Sequence, residues 1–213
     1  MRLLQPLAET ALGRALIAYF FDLPRWTAAS ILFALALLPA CLALLNGLLL
    51  GVAAATLPVV PVVAGMINMA AGQTAENAPR LRDALAYPAT LFAVFAVWAG
   101  AAIVLTLALA GVPLAAVFGA GVALFSLLMV GVFAIFMPSQ LCVAGWLIWR
   151  NGLVLAVSSP MVALGLLALG GVGVWAVWVS KGALIVAIPS LWVLLAAFTV
   201  DERIRALRAA QSG

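Results

Sequence analysis

Long apolar runs separated by short polar islands set the rhythm of this chain. No charged residue falls between Arg25 and Glu76, between Asp83 and Arg150, between Arg150 and Lys181, or between Lys181 and Asp201. About 20 apolar residues cross a bilayer as a helix, so the first two runs are each long enough for two crossings. Asn46, Gly47 and Gly51 divide the first run, and Ala110-Gly111-Val112-Pro113 divides the second, since Gly and Pro together mark turns. The pattern predicts six spans, at about 26–45, 50–71, 88–110, 114–137, 160–179 and 182–200. Thr56, Pro58 and Pro61 predict an irregular start to the second, kinked or extended before it becomes helical.

The first polar segment has a pattern of its own. At helical spacing Arg2, Gln5, Glu9, Thr10 and Gly13 share one side, with Leu4, Leu7, Ala11, Leu12 and Ala15 opposite, which predicts an amphipathic helix on the inner leaflet. Arg14 interrupts the only stretch that could serve as a cleavable leader. The expected fold is therefore an all-α polytopic membrane protein of six transmembrane helices preceded by an amphipathic interfacial helix. Its parts are an N-terminal segment at 1–25, a single membrane domain at 26–200, and a cytosolic C-terminal tail at 201–213 that extends the sixth helix.

Composition agrees with this pattern. Hydrophobic residues make up 68% of the 213 and charged residues 8%, with a mean hydropathy of +1.32. A soluble domain carries roughly 25% charged residues to cover its surface with water-facing groups. The net charge of +4 comes from scattered basic residues, so it lacks the clustered basic face that nucleic acid requires. In the six-span arrangement with both ends cytosolic, all nine arginines fall inside and only Lys181 falls outside, as the positive-inside rule asks. That orientation matches a bacterial inner membrane. Trp26, Trp146 and Trp149 are expected at the inner interface and Trp175 and Trp178 at the outer one. Trp98 and Trp192 fall mid-span, where packing explains them.

The chemistry available is sparse. There is no histidine, which removes the commonest general base and metal ligand. None of the six spans holds a charged residue, so proton-coupled transport lacks its usual groups. Cys41 and Cys142 read as small apolar fillers, with no disulfide, metal or cofactor expected. The neutral amides Asn68 and Gln140 are candidates for interhelical hydrogen bonds or for a polar-solute site. Small residues four apart, as at Gly47/Gly51, Ala96/Gly100 and Ala115/Gly119, permit close helix contacts or a homo-oligomer.

Two inner loops remain. In Asn77–Pro88, NAPRLRDALAYP, Thr74 or Asn77 can cap a short helix carrying Arg80, Arg82 and Asp83. In the second, Arg150-Asn151-Gly152 precedes LVLAV, and Ser158-Ser159-Pro160 opens the fifth span. Solvated turns that set topology and a docking surface for a partner both fit these loops. As docking residues the candidates are Arg80, Arg82, Asp83 and Arg150. A catalytic carboxylate pair of Glu76 and Asp83 is disfavoured by its arginine neighbours and open setting.

The order of ATLPVVPVVAGMINMAAG, then RLRDALAYPATLFAVFAVW, then WLIWRNGLVLAVSSP before the last two spans resembles the YesL-like family of small bacterial membrane proteins. The resemblance implies a non-enzymatic accessory role beside a carbohydrate importer of the ATP-binding-cassette type, with no family site residues to carry over. Two other readings remain open. One is the membrane subunit of a small ATP-binding-cassette exporter, with NAPRLRDALAYP seated on a cytosolic ATPase. The other is a channel for a neutral solute.

Overall fold

The computed structural model describes residues 10–46, 54–74, 88–109 and 114–212. Among them every regular element is helical: α1 (Ala11–Phe21), α2 (Leu23–Leu45), α3 (Val59–Thr74), α4 (Pro88–Leu109), α5 (Leu114–Ala134), α6 (Met137–Leu141), α7 (Trp146–Ser158), α8 (Pro160–Val179) and α9 (Ile188–Ser212), with a 3-10 turn at Ala183–Val186. Three stretches among the described residues are long and apolar enough to cross a membrane: Leu23–Ala43, Phe118–Leu141 and Pro160–Val179. The protein is all-helical, and these stretches suggest membrane association.

Local chemistry fixes the helix ends. Thr10 caps α1 by accepting from the Gly13 N–H at 3.1 Å, satisfying one of the free amides of the first turn. At the far end of α2, the Asn46 side chain donates to the Leu42 carbonyl at 2.7 Å. Residues 56–58 form turns, and the helix of the second expected span starts only at Val59. Pro61 then sits in its first turn, where no amide is needed. α3 is 16 residues, about 24 Å at the α-helical rise, so its helical part is shorter than a full crossing. It is also the most enclosed helix, with every residue from Ala64 to Ala71 buried.

The fourth expected span is divided. Pro138 lacks an amide and its ring opposes the carbonyl four residues back, at Ala134, and α5 stops there. After a turn at Ile135–Phe136 the short α6 resumes with proline in its first turn. This junction is the densest part of the molecule, buried without interruption from Gly131 to Ser139. Cys142 ends α6 in the left-handed region (φ 54°) and Gly145 follows at φ 63°, reversing the chain into α7. Cys142 is thus a turn residue rather than a filler, and both cysteines are exposed.

The second inner loop is more ordered than a solvated turn. α7 has 13 residues and buries Ile148, Gly152, Leu155 and Ala156 along one face, packed against α5. A Cβ on Gly152 would come within 3.0–3.1 Å of the Ala134 Cβ, Cα and N, so only glycine admits this approach. The small-residue spacings divide in the same way. Gly100 of α4 lies beneath Leu127 of α5, while Gly119 faces open space.

Span five coincides with α8, and the C-terminal helix departs from expectation at its start. After Lys181 (φ 53°) and Gly182 (φ 90°), α9 begins at Ile188, so only its first 13 residues precede Asp201. The same helix continues unbroken to Ser212, with Ile204 buried. The tail at 201–213 is accordingly, over its described residues, the second half of α9.

Candidate functional site

The polar groups of this apolar chain gather where α1 and α2 run alongside α9. Asp22 alone separates α1 from α2, and the helical bonding continues across it, from the Asp22 N–H to the Ala18 carbonyl and from the Trp26 N–H to the Asp22 carbonyl, both at 3.2 Å. Two rungs join this bent helix to α9. At the first, Arg14 donates to the Glu202 carboxylate, and its guanidinium lies 5.4 Å from the centroid of the Phe198 ring. At the second, the Ser190 hydroxyl donates to the Trp26 carbonyl at 2.9 Å. Because that proton is committed, Ser30 is the donor in the 2.5 Å contact between the two serine oxygens.

The spacing of the rungs gives the geometry. Positions 14 and 26 are twelve apart, and so are 190 and 202. Twelve residues of α-helix cover about 18 Å, so α1 and the start of α2 lie antiparallel along α9 in constant register. The expected amphipathic helix exists over its described part, but its axis follows α9. Gly13, Ala15 and Tyr19 are its buried side, while the bulky Leu12, Leu16, Ile17, Phe20 and Phe21 point outward. Trp26 is fully buried in this seam and is a core residue, not the interfacial ring the sequence suggests.

Between the rungs sits a polar knot. Asp22 accepts from Arg25 at 3.2 Å and from Gln73, at the end of α3, at 2.9 Å. Further along α9, Asp201 pairs with Arg205 at 2.7 Å. Every carboxylate here is engaged by a guanidinium or an amide, an arrangement that suits structural or docking roles rather than acid–base chemistry. Among the described residues no three His, Cys, Asp or Glu side chains converge as metal ligands.

The candidates read from sequence fall in different places. Arg80, Arg82 and Asp83 lie outside the described residues. Arg150 is exposed on α7, and its guanidinium belongs to neither the rungs nor the knot. Asn68 is buried on α3. Gln140 donates from Nε2 to the Ala197 carbonyl of α9 at 2.8 Å, the interhelical bond expected of an amide in an apolar setting. The two mid-span tryptophans also bond between elements: Trp98 donates to the Thr56 hydroxyl at 2.8 Å and Trp192 to the Leu166 carbonyl at 2.9 Å.

The rungs and the knot were not among the sequence candidates. Arg14, Asp22 and Arg25 were visible only as topology-setting charges, and their partners lie up to 188 positions away. Neither a protein-family model, nor a curated protein, nor a solved structure matches this chain. The reading of function rests on the geometry.

Proposed function

We propose that this protein is a multi-pass component of a bacterial inner membrane, with both ends cytosolic, that acts as a non-enzymatic partner of a transport system, with carbohydrate uptake as the leading process. The observation that carries this reading is the segregation of charge. Arg14, Asp22, Arg25, Asp201 and Glu202 are drawn together along one seam by the pairs between α1–α2, α3 and α9. Lys181 follows the far end of α8, just before α9 begins. A cytosol-facing seam with Lys181 on the other side fits the positive-inside rule.

Exposed arginines extend the charged surface. Arg203, Arg205 and Arg208 are exposed on the second half of α9, as is Arg150 on α7. Such a surface is suited to a cytosolic or membrane partner, and Arg80, Arg82 and Asp83 belong to the same proposed docking role. The commitment of the Gln140 amide to the Ala197 carbonyl favours a structural use of that residue over a solute site.

The test is an affinity capture in mild detergent from the native host, with mass spectrometry of what remains bound. Co-recovery of transporter subunits and their ATPase, lost on charge reversal at Arg80, Arg82 and Arg150, supports the reading. A partnerless protein overturns it.

A further inference from the structure

One face of α1 meets no other part of the protein, and it does not end with α1. Leu12, Leu16, Phe20, Pro24, Ala28 and Ile31 are all exposed and spaced by three or four residues, the spacing that keeps side chains on one side of a helix. The exposed stripe therefore runs through the bend at Asp22 into the outer face of α2, a helix long and apolar enough to cross a membrane.

We propose that the outer stripe of α1 is a phospholipid-facing surface that stands upright through the headgroup layer at the charged seam, instead of lying flat upon it. This rests on the membrane-spanning reading of α2. The two rungs fix the axis: with Arg14 on Glu202 and Trp26 on Ser190, α1 is held along α9 and cannot rotate into the membrane plane without breaking the first rung. Lengths agree. The 23 residues of α2 extend about 35 Å, enough for a hydrocarbon core of about 30 Å. The 11 residues of α1 then add about 16 Å beyond it, into and past an interfacial zone of about 5–8 Å per leaflet.

The polar groups sit where that placement needs them. The Asp22–Arg25–Gln73 knot falls at the junction of α1 and α2, the edge of the hydrocarbon, and is closed by its own pairing. Arg14 and Glu202 lie eight residues from Asp22, about 12 Å further out. Phe20 and Phe21, the most exposed large side chains of α1, are at its deep end. Rings and aliphatic chains next to the acyl boundary, with charge beyond them, are the order an upright interfacial helix requires.

Nitroxide labels at Leu12→Cys, Leu16→Cys and Phe20→Cys, one at a time on a Cys41→Ala/Cys142→Gly background, test this in phosphatidylcholine–phosphatidylglycerol vesicles. Relative collision with oxygen and with a water-soluble nickel complex reports depth, and Leu35→Cys on α2 serves as the bilayer reference. The expected result is a gradient, with position 20 about 12 Å deeper than position 12. Equal depths at the three α1 sites overturn the proposal in favour of a flat helix. Water-like collision at all three, with Leu35→Cys in lipid, overturns it in favour of a face turned to the aqueous phase. Water-like collision at Leu35→Cys as well removes the membrane-spanning reading itself, and the proposal with it.

Discussion

The Ser190 hydroxyl holds the Trp26 carbonyl at 2.9 Å, twelve residues along α9 from the glutamate that holds Arg14. The two contacts differ in kind. Ser190, Ser30 and Trp26 are wholly buried, whereas the Arg14 and Glu202 side chains are 29% and 39% exposed. The inner rung therefore acts in a dry seam and the outer one at a wet edge, so they should respond differently to substitution.

Ser190→Ala leaves the Trp26 carbonyl and the Ser30 hydroxyl to rearrange without it. A bond of this kind in a membrane helix pair contributes about 0.6–1.7 kcal/mol. We expect a lower thermal midpoint in detergent and little dependence on salt. Ser190→Thr, which keeps the hydroxyl, should recover part of the loss. A midpoint unchanged by Ser190→Ala would remove the inner rung as a stabilising contact.

The outer rung should be weaker and screenable. Partly exposed ion pairs contribute about 0–1 kcal/mol, so Arg14→Glu is expected to lower the midpoint modestly, with the reversed pair Arg14→Glu/Glu202→Arg recovering most of it. Raising the ionic strength should shrink the difference between wild type and Arg14→Glu. If the reversed pair is no better than either single change, the stacking of Arg14 on Phe198 matters more than its charge partner.

Glycines 152 and 165 give a matched contrast within two adjoining helices. An added Cβ at Gly152 meets the Ala134 backbone at 3.1 Å, while at Gly165 it meets nothing within 4 Å. Gly152→Ala should force α7 away from α5 and cost about 1–3 kcal/mol, the usual range for overpacking. Gly165→Ala gains helix propensity worth up to about 1 kcal/mol and should be neutral or stabilising. Thermal midpoints of the two variants, measured side by side, check both signs.

How much of this could be read from the chain depends on whether the signal was local. α8 was legible to the residue, because Ser159-Pro160 opens it and Lys181 follows its end with nothing polar between. α4 was legible for similar reasons. The division of the fourth span was overlooked although Pro138 was in plain view, since hydropathy continues through it and only the backbone geometry registers the break. α7 was expected as part of a loop because Arg150 and Asn151 set its polarity. Its packing depends on Gly152 meeting Ala134, a relation no periodicity records. The amide role of Gln140 followed from the cost of an unbonded polar group in an apolar setting, but its partner is a backbone carbonyl, which carries no signature. The orientation of α1 was beyond reach, since it is set by Glu202 and Ser190, on the other end of the chain.

Trp192 offers a test of the α8–α9 contact. Its indole N–H reaches the Leu166 carbonyl at 2.9 Å, and the ring lies over Gly170, whose added Cβ would come within 3.2 Å of the indole nitrogen. Trp192→Phe keeps most of the apolar surface and deletes the donor, for an expected loss of about 1 kcal/mol. Trp178→Phe, at a site 82% exposed, should leave the midpoint nearly unchanged in detergent. Equal losses at the two sites would mean that ring size, not the hydrogen bond, holds α8 against α9.

The proposed orientation makes the sharpest demand on the turn between α8 and the 3-10 segment. Ser180, half-buried, donates to the Val177 carbonyl at 3.0 Å and accepts from the Leu184 N–H at 3.2 Å, so a label is better placed one residue on, at the exposed Lys181. On a background without the native cysteines, Lys181→Cys should react with a membrane-impermeant maleimide added to intact cells of a bacterial host. Arg208→Cys, exposed on the second half of α9, should react only once the membrane is opened. The reverse pattern would place the charged seam outside. Reaction of both sites in intact cells would mean that α9 and its preceding turn share one side, and the crossing of α9 would have to be given up.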